Sequence, residues 1–410
     1  MALIVQKYGG TSVGSVERVR AVAKHIASFK EKGHDLIITV SAPSGVTDKL
    51  VAATEKFSNV PEREKDVMLS IGEQVSIARL VMALNELGIP AVSMTGWQMG
   101  ICTDAEHTKA RVLAVKTERA KKELAEGKVI VLAGFQGVTV DGDITTLGRG
   151  GSDTTAVAIA AAIEADLCEI YTDVDGVYTA DPRMVRGASK LNVITYDEML
   201  ELASLGAKVL HPRSVEIAKN YNVKLSVRSS FDTSKEGTLV VNQLEKEFVV
   251  TGVACDQKVA KFGIFDIEDK PGLATVVFQA LADAKINVDM IIQSAMRNNL
   301  NDISFTVPLD DMEKTIKVLE ELRENIDFSD IVFSPDVAKI SLVGAGMTTA
   351  PGVAAKMFSV LAENNINIEM ISTSEIRISC IVEKWNGIPA KAMQALHDAF
   401  NLDKLDQVTE

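Results

Sequence analysis

The chain is poor in cysteine, in aromatic residues and in surplus positive charge. Its four cysteines (Cys102, Cys168, Cys255, Cys380) stand far apart with no Cys-x-x-Cys pair. That excludes a disulfide frame and thiolate zinc spacings, and free thiols in a reducing compartment are expected. Five histidines are scattered without ligand spacing, so no metal site is expected. Only 5% of residues are aromatic, and the isolated Trp97 and Trp385 offer no stacking platform for nucleic acid. Acidic residues outnumber basic ones, 56 to 43, for a net charge of -13, which argues against nucleic-acid or membrane surfaces. A long apolar segment and a cationic leader are both lacking, so neither membrane span nor signal peptide is indicated, and the cytoplasm is the expected location.

What is present is an ordinary core-forming composition, 47% hydrophobic over 410 residues, enough for two or three domains. Up to about residue 230, apolar runs alternate with longer helical patterns. The runs are Leu3 to Gln6, Leu36 to Val40, Ala91 to Met94, Val129 to Ala133, Glu169 to Tyr171 and Lys224 to Val227. This alternation predicts an α/β fold, a mainly parallel sheet covered by helices. Helices are expected over Val16 to Lys32 and Val67 to Leu87, ended by Gly33 and Gly88. From Phe231 to Glu247 the chain turns polar and charged, which reads as a domain boundary.

Beyond it the sequence repeats. Pro271-Gly272-Leu273-Ala274, Phe278, Leu281-Ala282, Ile286-Asn287 and Met290-Ile291 recur at one constant offset as Pro351-Gly352-Val353-Ala354, Phe358, Leu361-Ala362, Ile366-Asn367 and Met370-Ile371. Each copy reads as strand, Pro-Gly helix start, amphipathic helix, then a strand beginning near the Ile-Asn pair. Two copies cannot build a solenoid and suggest paired small-ligand modules.

The other informative stretch is Lys7-Tyr8-Gly9-Gly10-Thr11-Ser12-Val13-Gly14, a strand-to-helix turn. Helix N-termini present unpaired N–H groups and partial positive charge, bare glycines admit phosphate oxygens, and Lys7 adds a full charge. Gly9 and Gly14 have P-loop separation, but Ser15 stands where that motif requires lysine, so the P-loop reading fails.

Together with Thr146-Leu147-Gly148-Arg149-Gly150-Gly151-Ser152-Asp153 and Tyr171-Thr172-Asp173-Val174-Asp175-Gly176-Val177-Tyr178-Thr179-Ala180-Asp181-Pro182-Arg183, this turn resembles the aspartate kinases of the amino-acid kinase superfamily. The repeats are similar to their ACT domains. The resemblance implies a three-layer α/β/α catalytic domain over 1–245, one ACT (βαββαβ) domain over 262–335, and a second made of 248–261 and 336–410. It also implies transfer of the γ-phosphoryl group of ATP, with Mg2+, to the β-carboxylate of L-aspartate, the first step toward lysine, threonine and methionine. A carboxylate acceptor needs no base, so positioning and charge neutralisation carry such a reaction.

By resemblance Lys7, Asp153 and Lys208 are catalytic. Ser41, Thr47, Glu73, Arg149, Gly150, Gly151 and Ser152 hold the substrate, Glu73 taking its amino group and the Arg149 fork its α-carboxylate. The nucleotide is assigned to Lys7, Tyr8, Gly9, Gly10, Ser12, Thr172, Asp173, Tyr178, Thr179, Asp181, Pro182, Arg183 and Lys208. From the residues alone, Ser152 or Asp153 reads as a helix cap and Glu73 as an exposed carboxylate. Pro43 departs from the family pattern, stiffening its loop and removing an N–H.

In the repeats, Asp269, Gly272, Asp289, Gln293, Asn367, Ser374 and Glu375 are candidate effector contacts, lysine or threonine being the implied effectors. The resemblance further implies a homodimer or larger assembly through the ACT domains, possibly with a separate regulatory chain. A sibling amino-acid kinase and a non-catalytic ACT sensor remain as alternatives. Retention of Lys7, Asp153 and Lys208 speaks against the sensor.

Overall fold

The computed structural model describes residues 2–206, 209–244, 248–294, 299–324 and 326–408. The chain divides into two units, Met1–Val177 with Lys190–Ser204 and Lys208–Lys246, and Tyr178–Ser189 with Leu205–Ala207 and Glu247–Glu410.

The first unit is built on an eight-stranded sheet. Its order is Val193–Thr195, Thr238–Val241, Leu225–Ser229, Leu167–Thr172, Leu3–Tyr8, Asp35–Val40, Val129–Ala133, Ala91–Met94. Every neighbouring pair is parallel except Leu225–Ser229 with Thr238–Val241. All six strands expected from apolar runs are present. The sequence reading missed Val193–Thr195 and Thr238–Val241. The second lies inside the polar stretch taken as a boundary, and a four-residue strand is too short to show a period of two against charged neighbours.

One face of the sheet packs Ile4, Leu36, Ile38, Val129 and Val131 against Val19, Ile26, Leu80 and Leu84 of the helices Val16–Glu31 and Ile71–Glu86. Alternation sends Val5, Ile37, Ile130 and Leu132, all buried, to the other face. The helix Gly151–Ile163, polar at its start, apolar on all sides from Ala156 onward and almost wholly buried, covers the sheet there. A smaller sheet joins Val112–Val115, Ile101–Thr103, Gln136–Val138 and Ile144–Thr146.

The single helix expected over Val67 to Leu87 is instead two, Glu62–Leu69 and Ile71–Glu86. At the junction the Ser70 carbonyl accepts the Gln136 side-chain amide at 2.9 Å, a partner from outside the helix.

The second unit has one six-stranded antiparallel sheet, ordered Ile291–Gln293, Leu300–Pro308, Gly252–Glu268, Asp330–Val343, Arg377–Glu383, Met370–Thr373. The two long central strands pair with each other through both modules, with register shifts on either side of the pair Val259↔Val337. Gly272 (φ +97°) and Gly352 (φ +94°) start the helices Leu273–Asp283 and Val353–Glu363, as the repeat predicts. The strands that follow begin later than the Ile-Asn pairs, at Ile291 and Met370, because Ile286 and Ile366 are buried under the helices first.

Candidate active site

Lys7 shares its sheet face with Val5, the face covered by the helix Gly151–Ile163. Its Nζ meets Asp153 Oδ1, in the first turn of that helix, at 2.7 Å, with 12% of each side chain exposed. Ser152 and Asp153 therefore do not cap the helix. Gly150 holds the N-cap position with φ +68°, and the two residues that follow it sit inside the first turn.

A Cβ on Gly9 would lie 3.6 Å from Lys7 Nζ, so the missing side chain keeps the approach to the ammonium open. The Gly9 N–H donates to the Tyr171 carbonyl at 3.3 Å. Gly10 has a different reason to be glycine, since a Cβ there would fall 2.6 Å from the Ala42 carbonyl. Tyr8 faces away from Lys7. Its ring stacks on Tyr171 at 4.8 Å and its hydroxyl donates to Gln6 Oε1 at 3.1 Å, while burial pushes its phenol well above the ordinary range. Ser12 is buried and its Oγ has no hydrogen-bond partner among the described residues.

Glu73 is not the exposed carboxylate that a helical glutamate usually is. Gly72 lets its helix approach Ala42, where a Cβ would sit 2.7 Å from the Ala42 Cβ, and Glu73 is 3% exposed. Its Oε1 accepts the Ala42 N–H at 2.9 Å, and Oε2 is buried without a partner among the described residues. Burial pushes the carboxyl up to about 7 against the pull of that N–H. The turn containing Pro43 uses its amides internally. Ala42 serves Glu73, and Ser44 N–H donates to the Gly10 carbonyl at 3.2 Å.

Lys7, Ser41, Thr47, Glu73, Arg149, Gly150, Gly151, Ser152 and Asp153 line one cavity of about 230 Å³, together with Ala42, Phe135 and Gly148. Every residue assigned to the substrate is thus in one place. Of the additions, Phe135 is bulky and held at φ +70°, a backbone region that costs a side chain of its kind energy. No sequence signal marks it. His211 was also overlooked as a neighbour of this loop. A Cβ on Gly150 would fall 2.2 Å from its ring, and burial pulls its imidazole below the ordinary range.

The residues assigned to the nucleotide divide. Thr172 ends a strand of the first unit and Asp173 follows it, with the Thr172 hydroxyl donating to Asp173 Oδ1 at 3.1 Å. Tyr178, Thr179, Asp181, Pro182 and Arg183 belong to the second unit. There Thr179 is buried, with Oγ1 at 2.9 Å from His397 Nε2 and accepting the Ser189 N–H at 3.0 Å. Arg183 forks onto the Asp181 carboxylate at 2.7–3.2 Å. Lys208 lies outside the described residues. Among those described, no group of three or more His, Cys, Asp or Glu could cage a metal.

A second cavity, of about 380 Å³ within the second unit, collects Asp269, Gly272 and Gln293 with Lys270, Pro271 and Asn301. Asn301 donates from Nδ2 to Asp269 Oδ1 at 2.8 Å. Asp289 is engaged elsewhere, in an ion pair with Lys339, and a matching pair joins Lys261 to Glu369. Asn367, Ser374 and Glu375 are exposed and do not line this cavity. The Ser374 N–H donates to the Arg377 carbonyl at 2.8 Å.

A mainly parallel sheet with a lysine–aspartate pair at the C-terminal end of a central strand, followed by paired small modules, fits an amino-acid kinase with regulatory domains, and comparison with known proteins agrees. Residues 2–229 match the amino acid kinase family, and 266–322 with 340–400 match the ACT domain. The chain is 51% identical over 405 residues to the aspartokinase of Bacillus sp. (strain MGA3), 98% of each chain. It is 50% identical over 412 residues to the aspartokinase of Thermus thermophilus, 98% of this chain and 100% of that one. Among solved structures, E. coli aspartokinase III in complex with aspartate and ADP is similar with a TM-score of 0.82 at 26% identity, covering 97% and 99% of the chains. The aspartate kinase from Synechocystis is 47% identical with a TM-score of 0.55, covering 98% of this chain and 70% of that one. The chain belongs to the aspartokinases, phosphotransferases with a carboxyl group as acceptor.

Proposed function

We propose that this protein transfers the γ-phosphoryl group of ATP to the β-carboxylate of L-aspartate, giving β-aspartyl phosphate and ADP. The observation that carries this reading is the cavity that unites Lys7, Glu73, Arg149, Ser152 and Asp153. A small zwitterion needs a buried anion for its ammonium and a guanidinium fork for its α-carboxylate, and the transferred phosphoryl group needs a cation. The unpartnered Glu73 Oε2 suits the first need, Arg149 the second and Lys7 the third.

An aspartate carboxylate oxygen attacks the γ-phosphorus in line while the bond to the ADP oxygen breaks; no proton has to be moved. Asp153 holds Lys7 by an ion pair, so the ammonium is ordered before the phosphoryl group arrives. Lys208 is assigned a second nucleotide contact. Mg2+ would supply charge neutralisation and travel on the nucleotide's own phosphates, as it usually does where the protein offers few carboxylates.

The cavity of Asp269, Gly272 and Gln293 is assigned to an amino-acid effector, lysine or threonine, which the ACT domains read as end products of the pathway this reaction opens. E. coli aspartokinase III, whose structure with lysine and aspartate is similar to this chain with a TM-score of 0.75, supports lysine as the first effector to test. Assembly through the ACT domains, at least as a dimer, completes the proposal.

The test is ADP release with Mg-ATP and L-aspartate, L-glutamate serving as control, repeated with lysine, threonine and both. Aspartate-dependent turnover suppressed by one of them is expected. Absence of turnover with effector still bound would replace the enzyme by a sensor.

A further inference from the structure

We infer that Asp66 is a positioning residue for the acceptor, acting through Thr146 and Thr108 to fix how far Arg149 lies from Glu73. The inference rests on the assignment of those two residues to aspartate.

Asp66 lies on the helix Glu62–Leu69, about two turns before Glu73, and is fully buried. Its carboxylate has three hydrogen-bond partners. Oδ1 takes the Thr146 hydroxyl at 2.5 Å and the Thr108 N–H at 3.1 Å, while Oδ2 takes the same N–H at 3.0 Å and lies 2.8 Å from His107 Nδ1. Thr146 ends the strand Ile144–Thr146, three residues before Arg149. Thr108 is held at φ +66°, and its carbonyl is 3.2 Å from where a Cβ on Gly148 would stand. One buried carboxylate therefore binds the base of the Arg149 loop at Thr146, holds the Thr108 turn that lies close to Gly148, and belongs to the helix just before the one that carries Glu73. A core acid needs none of this. Hydrogen bonds to a buried charge are among the stronger ones, and here they tie the segment before Arg149 to the helix that immediately precedes the one carrying Glu73.

The test uses the full-length protein and starts from Thr146→Val, which removes the hydroxyl without touching a charge. Its KM for L-aspartate should rise roughly tenfold or more while the KM for Mg-ATP stays within about twofold. The preference for aspartate over glutamate should shrink, and Thr146→Ser should restore both values. Calorimetric titration of L-aspartate without nucleotide should show the same loss of affinity. Asp66→Asn, which keeps volume but weakens acceptance, should behave as Thr146→Val does.

An unchanged aspartate KM and acceptor preference in Thr146→Val, with only a lower Tm, would overturn the inference and leave Asp66 as a fold anchor. Equal rises in both KM values would overturn it as well. Failure of the wild-type protein to phosphorylate aspartate would instead remove the assignment on which the inference stands, and the two failures are distinguishable because the second appears before any variant is made.

Discussion

Lys7 and Asp153 come from positions far apart in the chain and meet at 2.7 Å, the lysine on the first strand and the aspartate in the first turn of the helix laid across it. The pair sits where two facts of regular structure coincide. Strand alternation turns residue 7 toward that helix, and the glycine turn before residue 151 brings the helix start over the strand. Lys7→Ala should lower kcat by orders of magnitude while leaving the KM for aspartate within a few fold, because the ammonium acts on charge that develops during transfer. Steady-state kinetics with both substrates varied checks this, and a near-normal kcat would refute the role given to Lys7.

Glu73 should make the reaction pH-dependent. An ammonium needs the carboxylate form, and burial pushes this carboxyl up to about 7, so the KM for aspartate should climb as pH falls from 8 to 6. In Glu73→Gln the KM should be high throughout and lose that slope. The stability effect has a definite sign. A carboxyl raised in the folded state contributes stability below its unfolded value near 4.3, and this is lost as pH rises through about 7. Glu73→Gln should therefore melt higher than wild type at pH 8, and thermal denaturation across the range reads it directly.

Gly150 has no room for a side chain. Besides φ +68°, a methyl group would meet the His211 ring at 2.2–2.4 Å. Gly150→Ala should cost about 1–2 kcal/mol from backbone conformation alone and displace Arg149 from the cavity. The expected outcome is an enzyme that still folds, with a large loss of kcat/KM for aspartate. Retained kcat/KM would mean that the loop and His211 move apart freely.

The ion pairs of the second unit differ in burial, and this ranks their variants. Lys339 is 6% exposed against 40% for Asp289. Asp289→Ala strands a buried ammonium, whereas Lys339→Met leaves a carboxylate that water can reach and fills the space with apolar chain. Asp289→Ala should be the more destabilising of the two, by about 1–3 kcal/mol, in chemical denaturation. The reverse order would show that Asp289 does more than neutralise its partner.

Legibility in the sequence followed the strength of periodic signal. The runs Leu36 to Val40 and Val129 to Ala133 are long and apolar because both faces of those strands are covered, and they match the strands Asp35–Val40 and Val129–Ala133 to within one residue. Thr238–Val241 and the strands of the smaller sheet are three or four residues long, below the length at which alternation means anything. The residues of the acceptor cavity were found through motif resemblance, and composition alone would have left Glu73 on the surface. Phe135 and Asp66 escaped because their importance lies in a backbone angle and in hydrogen bonds between distant segments, and neither leaves a mark on local sequence. A Val-Ala-Lys triplet at 259 and again at 337 is a further sign of the second unit's symmetry, for it supplies both the Val259↔Val337 register pair and the two reciprocal lysines.

The strands Gly252–Glu268 and Asp330–Val343 each serve both modules. Neither module can be excised by a single cut, since each would lose a strand to its sibling and expose an unpaired edge. The duplication recorded in this sequence is thus one that the chain can no longer undo by deletion. Hydrogen exchange should find the pair opening together, because the two modules share the backbone of both central strands.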